Sequence, residues 1–257
     1  WRLVVVDAAQ LEPRILAAMA GDSAMLAAGA RGDLYQGLVD AGVVDTRAHA
    51  KVAMLGALYG STSGQSGLLV PRLARAYPRA IGHVDAAARV GEAGGVVHTW
   101  LGRTSPRPSA DWRETQAAAS GPEAGAAEES RARSRAREWG RFTRNFVVQG
   151  TAAEWALAWM GGVRRDLAAL GSSSSTDPSE HPRLAFFLHD ELVVHTPKGL
   201  VDGVVEILRE SSRQASRLLF GEQMADLVPL DVVVAQSYAE VDATPEEEVG
   251  EDGPPLN

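Results

Sequence analysis

The chain opens on Arg-Leu-Val-Val-Val (residues 2–6), a short β-branched apolar run. From about Glu12 to Ala20 the apolar spacing turns helical and stops at Gly21. A strand therefore delivers Asp7 to a strand-to-helix corner. Pro13 falls in the first turn of that helix, where its missing N–H costs nothing. Between Ser23 and about Ala93 the pattern is predominantly helical, with breaks at Gly29 to Gly32, Gly60 to Gly67 and Pro78. Residues 104–129 are rich in Ala, Ser, Gly, Pro and Glu with little periodic signal, which predicts an exposed, mobile insertion. A second helix is expected from Ala152 to Leu170, followed by a flexible Gly-Ser-Ser-Ser-Ser-Thr-Asp-Pro connection. The run Leu184 to His195 predicts two strands around a tight turn at Asp190. An amphipathic helix over 201–220 and a last strand from Val228 to Ala235 complete the pattern.

Length and composition set the bounds. The 257 residues are 45% apolar, enough for one large domain or two modest ones with real cores. Trp1 lies inside a strand-like run with no charged leader or membrane-length apolar stretch, so we expect a soluble, cytoplasmic fragment of a longer protein. Without cysteine there are no disulfides and no thiolate metal sites, leaving oxygen and imidazole ligands. The net charge of -8 argues at first against a nucleic-acid partner. Seven acids and no base after Ser237 account for most of it, however. Between Arg131 and Arg144 six arginines face a single acid, Glu138, which makes either a backbone-binding stripe or a solvated helix face.

Two constellations suggest chemistry. Asp190-Glu191 interrupts an apolar hairpin, where a charge is costly unless solvated or met by a cation. With Asp7 it supplies carboxylates from separate strands, the donor type that shares paired divalent cations in phosphoryl transfer. Arg47, Lys51, Leu55 and Tyr59 recur every fourth residue, on one helix face about 18 Å long at 1.5 Å per residue. Like charges at i and i+4 repel, so an anion such as a triphosphate between Arg47 and Lys51 accounts for the pair, beside the plainer alternative of a solvated face. Gly56 and Gly60 read as clearance for a base pair.

Four segments in order resemble the motifs of family A DNA polymerases, the bacterial DNA polymerase I type. Asp-Ala-Ala-Gln-Leu-Glu-Pro-Arg (7–14) resembles the first palm motif, and Arg-x-x-x-Lys-x-x-x-Leu-Gly-x-x-Tyr-Gly (47–60) the fingers helix. Asn-Phe-Val-Val-Gln-Gly-Thr-Ala-Ala-Glu (145–154) resembles the element facing the duplex minor groove, and His-Asp-Glu-Leu (189–192) the second palm motif. The resemblance implies an α/β (α+β) fold, an antiparallel palm sheet backed by helices with an inserted helical fingers subdomain. It divides the chain into palm (1–22), fingers (23–103), a variable insertion with the Arg-rich helix (104–140), palm again (141–238) and a disordered acidic tail (239–257).

The function so implied is template-directed, two-metal nucleotidyl transfer from a dNTP to a primer 3'-hydroxyl, in DNA replication or repair. Asp7 and Asp190 are the expected ligands of two Mg2+ ions, with Mn2+ able to substitute, and Glu191 a nearby acid of lesser role. Arg47 and Lys51 are expected on the triphosphate, Lys51 also protonating the departing pyrophosphate. Tyr59 is expected beside the templating pair, while Glu12 closes the sugar pocket against a 2'-hydroxyl; Gln10 and Leu55 complete the nucleotide site. Arg141, Asn145, Gln149 and His189 are expected on the primer-template duplex, whose minor-groove acceptors are nearly independent of sequence. Partners are therefore primer-template DNA and dNTPs, with no membrane, and the protein is expected to be a monomer. Departures include Leu55 where the family has an aromatic residue, Ala8 and Ala9 for its Tyr and Ser, and Tyr238 for its terminal Trp. Two alternatives are a non-catalytic DNA-binding relative and an unrelated metal-dependent phosphohydrolase; the latter explains neither Glu12 nor the Arg47-Lys51-Tyr59 face.

Overall fold

The computed structural model describes residues 1–61 and 63–241. The expected tail lies outside the described residues from position 242 onward. The described chain divides into two compact units, Trp1–Ala8 with Met160–Ser211 and the described residues from Leu230 onward in the first, Ala9–Trp159 with Ser212–Pro229 in the second.

The first unit is built on a four-stranded antiparallel sheet. Its strands are β1 (Arg2–Ala8), β2 (Arg183–Leu188), β3 (Glu191–Thr196) and β4 (Leu230–Ala235), in the order β2-β3-β1-β4. The β-branched run of β1 makes it a central strand, and Val4, Val5 and Val6 are all buried. In the β1–β3 register Val4 lies opposite Val194 and Val6 opposite Leu192, so one face carries four fully buried side chains. The hairpin of β2 and β3 turns through His189 and Asp190, with His189 left-handed at φ 55. The Ala8 N–H donates to the Asp190 carbonyl at 3.0 Å and ties this tip to the end of β1. Helical segments of this unit bury Val163, Leu167, Val204 and Leu208.

The second unit is helical. It contains α1 (Leu11–Ala20), α2 (Ser23–Gly29), α3 (Leu34–Asp40), α4 (Arg47–Tyr59), α5 (Gly64–Ala76), α6 (Pro78–Glu92) and α7 (Ala110–Ala119). Their apolar faces join a core that includes Leu16, Met25, Leu38, Met54, Leu58, Leu73, Ile81 and Val84. Buried Asp22 caps α2 through Met25 N and reaches Ala80 N at 3.0 Å, locking α2 to α6. Arg14 is buried too. It donates to the carbonyls of Ala9, Gly29, Gly32 and Leu227 and to the Gln10 carboxamide, which offsets the cost of burying a guanidinium.

Two expectations change. Residues 104–129 are not a structureless insertion. They include α7, capped by Ser109 and anchored by buried Trp112, whose indole N–H donates to the Arg135 carbonyl at 3.2 Å. The two helices expected around 131–144 and 152–170 are one helix, α8 (Ala126–Ser174), which runs on through the first half of the Gly-Ser connection. The chain passes from the second unit to the first between Trp159 and Met160 of α8, and back between Ser211 and Ser212 of α9 (Val201–Phe220).

Candidate active site

The expected catalytic and nucleotide side chains fall in two groups, one in each unit. In the first unit the sheet register sets Asp7 directly opposite Glu191 of β3 and Asp231 of β4. Directly opposed residues share a face of the sheet, so three carboxyl groups stand in one row across three adjacent strands. Like charges so placed repel. Burial pushes the Asp7 carboxyl up to about 6, and the negative fields of Asp190, Asp231 and Glu191 add to the shift. None of these four acids forms an ion pair with a described residue. The Tyr238 hydroxyl donates to Glu191 Oε1 at 2.8 Å.

This donor set suits a hard divalent cation. It offers carboxylate oxygen and nothing softer, and no cation among the described residues pairs with it. Among the described residues no three acid or imidazole groups form a ready-made metal cage. Mg2+ needs none, since it keeps several waters and takes one or two carboxylates together with substrate phosphates. Asp7 and Asp190, one from the end of β1 and one from the hairpin tip, fit that requirement.

In the second unit α4 presents Arg47, Lys51 and Tyr59 exposed and Leu55 half-buried. Thr46 caps the helix through His49 N at 3.1 Å, and Arg47 is its first residue. The Arg47 Nε donates to Asp33 Oδ2 at 2.6 Å, and its guanidinium lies 5.7 Å over the Tyr35 ring. Burial works to raise the Asp33 carboxyl, but hydrogen bonds from Arg47 and from the Gln36 and Tyr35 amides outweigh it and hold the group below the usual carboxylate range. Burial, with the neighbouring Glu12 carboxylate adding, pushes the Tyr35 phenol up to about 12. Lys51 makes no ion pair with a described residue.

At the other end of α4, Tyr59 and Glu12 of the expected nucleotide set meet Gln149 of the expected duplex set. The Tyr59 hydroxyl donates to Glu12 Oε2 at 3.2 Å and accepts from Gln149 Nε2 at 3.1 Å. Burial raises the Tyr59 phenol, and the Glu12 charge adds to it. Gln10, left-handed at φ 53, joins α1 to the start of α3: its carboxamide accepts from Leu34 N at 2.9 Å and donates to Asp33 Oδ1 at 3.1 Å. Asn145 is half-buried and Arg141 exposed on α8; His189 is exposed at the hairpin tip.

Some sequence readings take a different form here. Gly56 is explained by α5, since a Cβ there would come within 2.6 Å of the Ser66 Cβ. Gly60 is the left-handed C-cap of α4 at φ 70, and a Cβ on it would meet the Arg141 Cγ at 2.9 Å. Internal packing therefore accounts for both glycines. The arginine stripe is partly neutralised: Arg133 pairs with Glu129, Arg135 with Asp111 and buried Arg144 with Asp85. Arg131, Arg137 and Arg141 have no such partner among the described residues. Pattern reading missed Asp33, Tyr35 and Asp231. The N-cap position of Asp33, just after Gly32 and before an apolar helix start, was the available signal for the first of them.

The fold is that of a known polymerase module. The structure superposes with a TM-score of 0.65 on the POL domain of Pol1 from M. smegmatis, solved in complex with DNA primer-template and dNTP; the match covers 92% of this chain and 40% of that one at 18% identity. The sequence matches the profile of DNA polymerase family A over residues 1–239, and the chain belongs to that family. It is 29% identical over 252 residues to the DNA polymerase I of Chloroflexus aurantiacus and 26% identical over 230 residues to the thermostable DNA polymerase I of Thermus thermophilus. These matches cover 90% and 82% of this chain but 23% and 24% of the relatives, so the chain spans about a quarter of their length. No described helix is long and apolar enough to cross a membrane.

Proposed function

We propose that the chain is the catalytic portion of a template-directed DNA polymerase, joining deoxynucleotides to a primer 3'-hydroxyl by two-metal nucleotidyl transfer. The observation that carries this reading is the row of acids across β3, β1 and β4, where burial and then the neighbouring carboxylates raise Asp7 and no cation among the described residues pairs with it. Asp7 and Asp190 hold magnesium there. When bound, the metal ions lower the barrier by activating the attacking 3'-oxygen and neutralising charge on the leaving pyrophosphate.

The remaining work falls to the chain's own residues. Arg47 and Lys51, one helical turn apart, bind the triphosphate as charge-assisted donors, and Lys51 hands a proton to the departing pyrophosphate. Gln10 and Leu55 border the nucleotide. Tyr59 holds Glu12 so that its carboxylate occupies the space a 2'-hydroxyl would need, which selects deoxynucleotides. Arg141, Asn145, Gln149 and His189 bind the primer-template duplex without reading sequence.

Magnesium-dependent primer extension by the polypeptide that carries this chain tests the reading, with deoxynucleotides and ribonucleotides offered separately beside an Asp190→Ala variant. Templated extension with deoxynucleotides that vanishes in the variant is the expected result. Duplex binding without extension in the unaltered protein would instead establish a non-catalytic DNA-binding relative.

A further inference from the structure

Arg47 already holds an anion of the protein's own. Its Nε lies 2.6 Å from Asp33 Oδ2, and the pair is open to solvent, with side chains 48% and 33% exposed. Asp33 is fixed independently of Arg47. Its Oδ1 accepts from Tyr35 N at 2.8 Å, Gln36 N at 3.1 Å and Gln10 Nε2 at 3.1 Å, so the carboxylate caps α3 whether or not the arginine is present. If Arg47 leaves, Asp33 keeps three hydrogen bonds and solvent access, and no buried charge is orphaned. The arginine in turn starts α4, where the helix N-terminus and Lys51 one turn along also favour an anion.

We propose that Asp33 is the resting counter-ion of Arg47, and that a nucleoside triphosphate takes the arginine only by displacing it. The inference rests on the nucleotide-binding reading of α4 given above. Asp33 is then a positioning residue. It parks the guanidinium over the Tyr35 ring, and every anion that recruits Arg47 must first offset a carboxylate contact. A triphosphate does so with charge to spare. The exposed geometry keeps the latch weak, in the range expected for solvent-accessible ion pairs.

Equilibrium dialysis of radiolabelled dATP with magnesium, on the whole chain, tests this. Asp33→Asn retains the helix cap and removes the charge; Asp33→Ser, a second capping residue, serves if the first melts below the unaltered protein. Either variant should bind dATP about two- to fivefold more tightly. The gain should disappear when combined with Arg47→Gln, which alone weakens binding. Unchanged or weaker affinity in the Asp33 variants overturns the latch, as does an equal gain in the Arg47→Gln background. If the unaltered chain binds no dATP and Arg47→Gln is indistinguishable from it, the nucleotide reading itself fails and the latch falls with it.

Discussion

The sheet and α4 treat charge in opposite ways. Across β3, β1 and β4 the register forces Glu191, Asp7 and Asp231 side by side, and no described cation answers them. On α4 two of the exposed groups have protein partners: Arg47 has Asp33, and Tyr59 has Glu12 and Gln149. The contrast follows from the scaffolds. A strand residue cannot turn away from its cross-strand neighbours without a register slip, whereas a long side chain on a helix surface can swing to the nearest counter-charge. The sheet acids thus stand together at a standing cost in stability, while Arg47 rests against a carboxylate of the protein's own, Asp33.

The largest effect is expected at the sheet. Asp190→Ala should lower the single-turnover rate of primer extension by about 10²–10³-fold or more, on the scale of removing a preorganised electrostatic contact. On the helix side, Lys51→Ala should weaken dNTP binding about tenfold, the scale of one charge-assisted hydrogen bond, read as a rise in KM.

Stability should move the other way for the sheet acids. The Asp7 carboxyl sits at about 6 in the fold against 3.8 when free, so the folded state holds its proton longer and loses relative stability as pH rises through that window. Asp7→Asn should therefore stabilise the metal-free chain at pH 7 by about 1–2 kcal/mol, after allowance for solvent screening, with the gain absent at pH 4. Thermal melts at the two pH values check this, and a destabilised variant at pH 7 would break the comparison. The smallest effect belongs to Tyr59→Phe. Loss of its hydroxyl frees Glu12 and Gln149 from each other's neighbourhood at about 0.5–1.5 kcal/mol, visible as a modest rise in ribonucleotide incorporation.

Much of the architecture was legible because it is written in short-range periodicity. The valine run of β1, the hairpin around Asp190 and the helices flanking Pro78 all declare themselves locally. The continuity of α8 did not, because Gly171 and the serine run look like a break and nothing local joins the arginine-rich stretch to the helix expected from Ala152. Their low helix propensity is offset by tertiary contacts. A Cβ at Gly162 would come within 3.1 Å of Ser211 Oγ and one at Gly171 within 2.6 Å of the His181 ring, while the Ser173 and Ser174 hydroxyls bond back to the Leu170 carbonyl at 2.9 and 2.7 Å. The apolar-poor stretch before α8 hid α7, since a single residue, Trp112, supplies most of its anchor.

The site was legible by residue type and in part by partner. Asp7, Arg47 and Tyr59 stand out in the sequence, but strand register and helix packing decide what they face. Asp231 lies 224 positions after Asp7 and meets it only through the β1–β4 pairing. Asp33, at the start of α3, meets Arg47, at the start of α4, across the whole of α3 and the segment that follows it. Such pairings are tertiary facts, and no local pattern specifies them.

The account turns on whether the acids around Asp7 hold a divalent cation. Calorimetric titration of Mn2+ into the metal-free chain at pH 7, beside Asp7→Asn, asks this directly. Saturable binding in the unaltered chain that weakens at least tenfold in the variant is the predicted result. Equal binding in both, or none in either while the fold is intact, would contradict it.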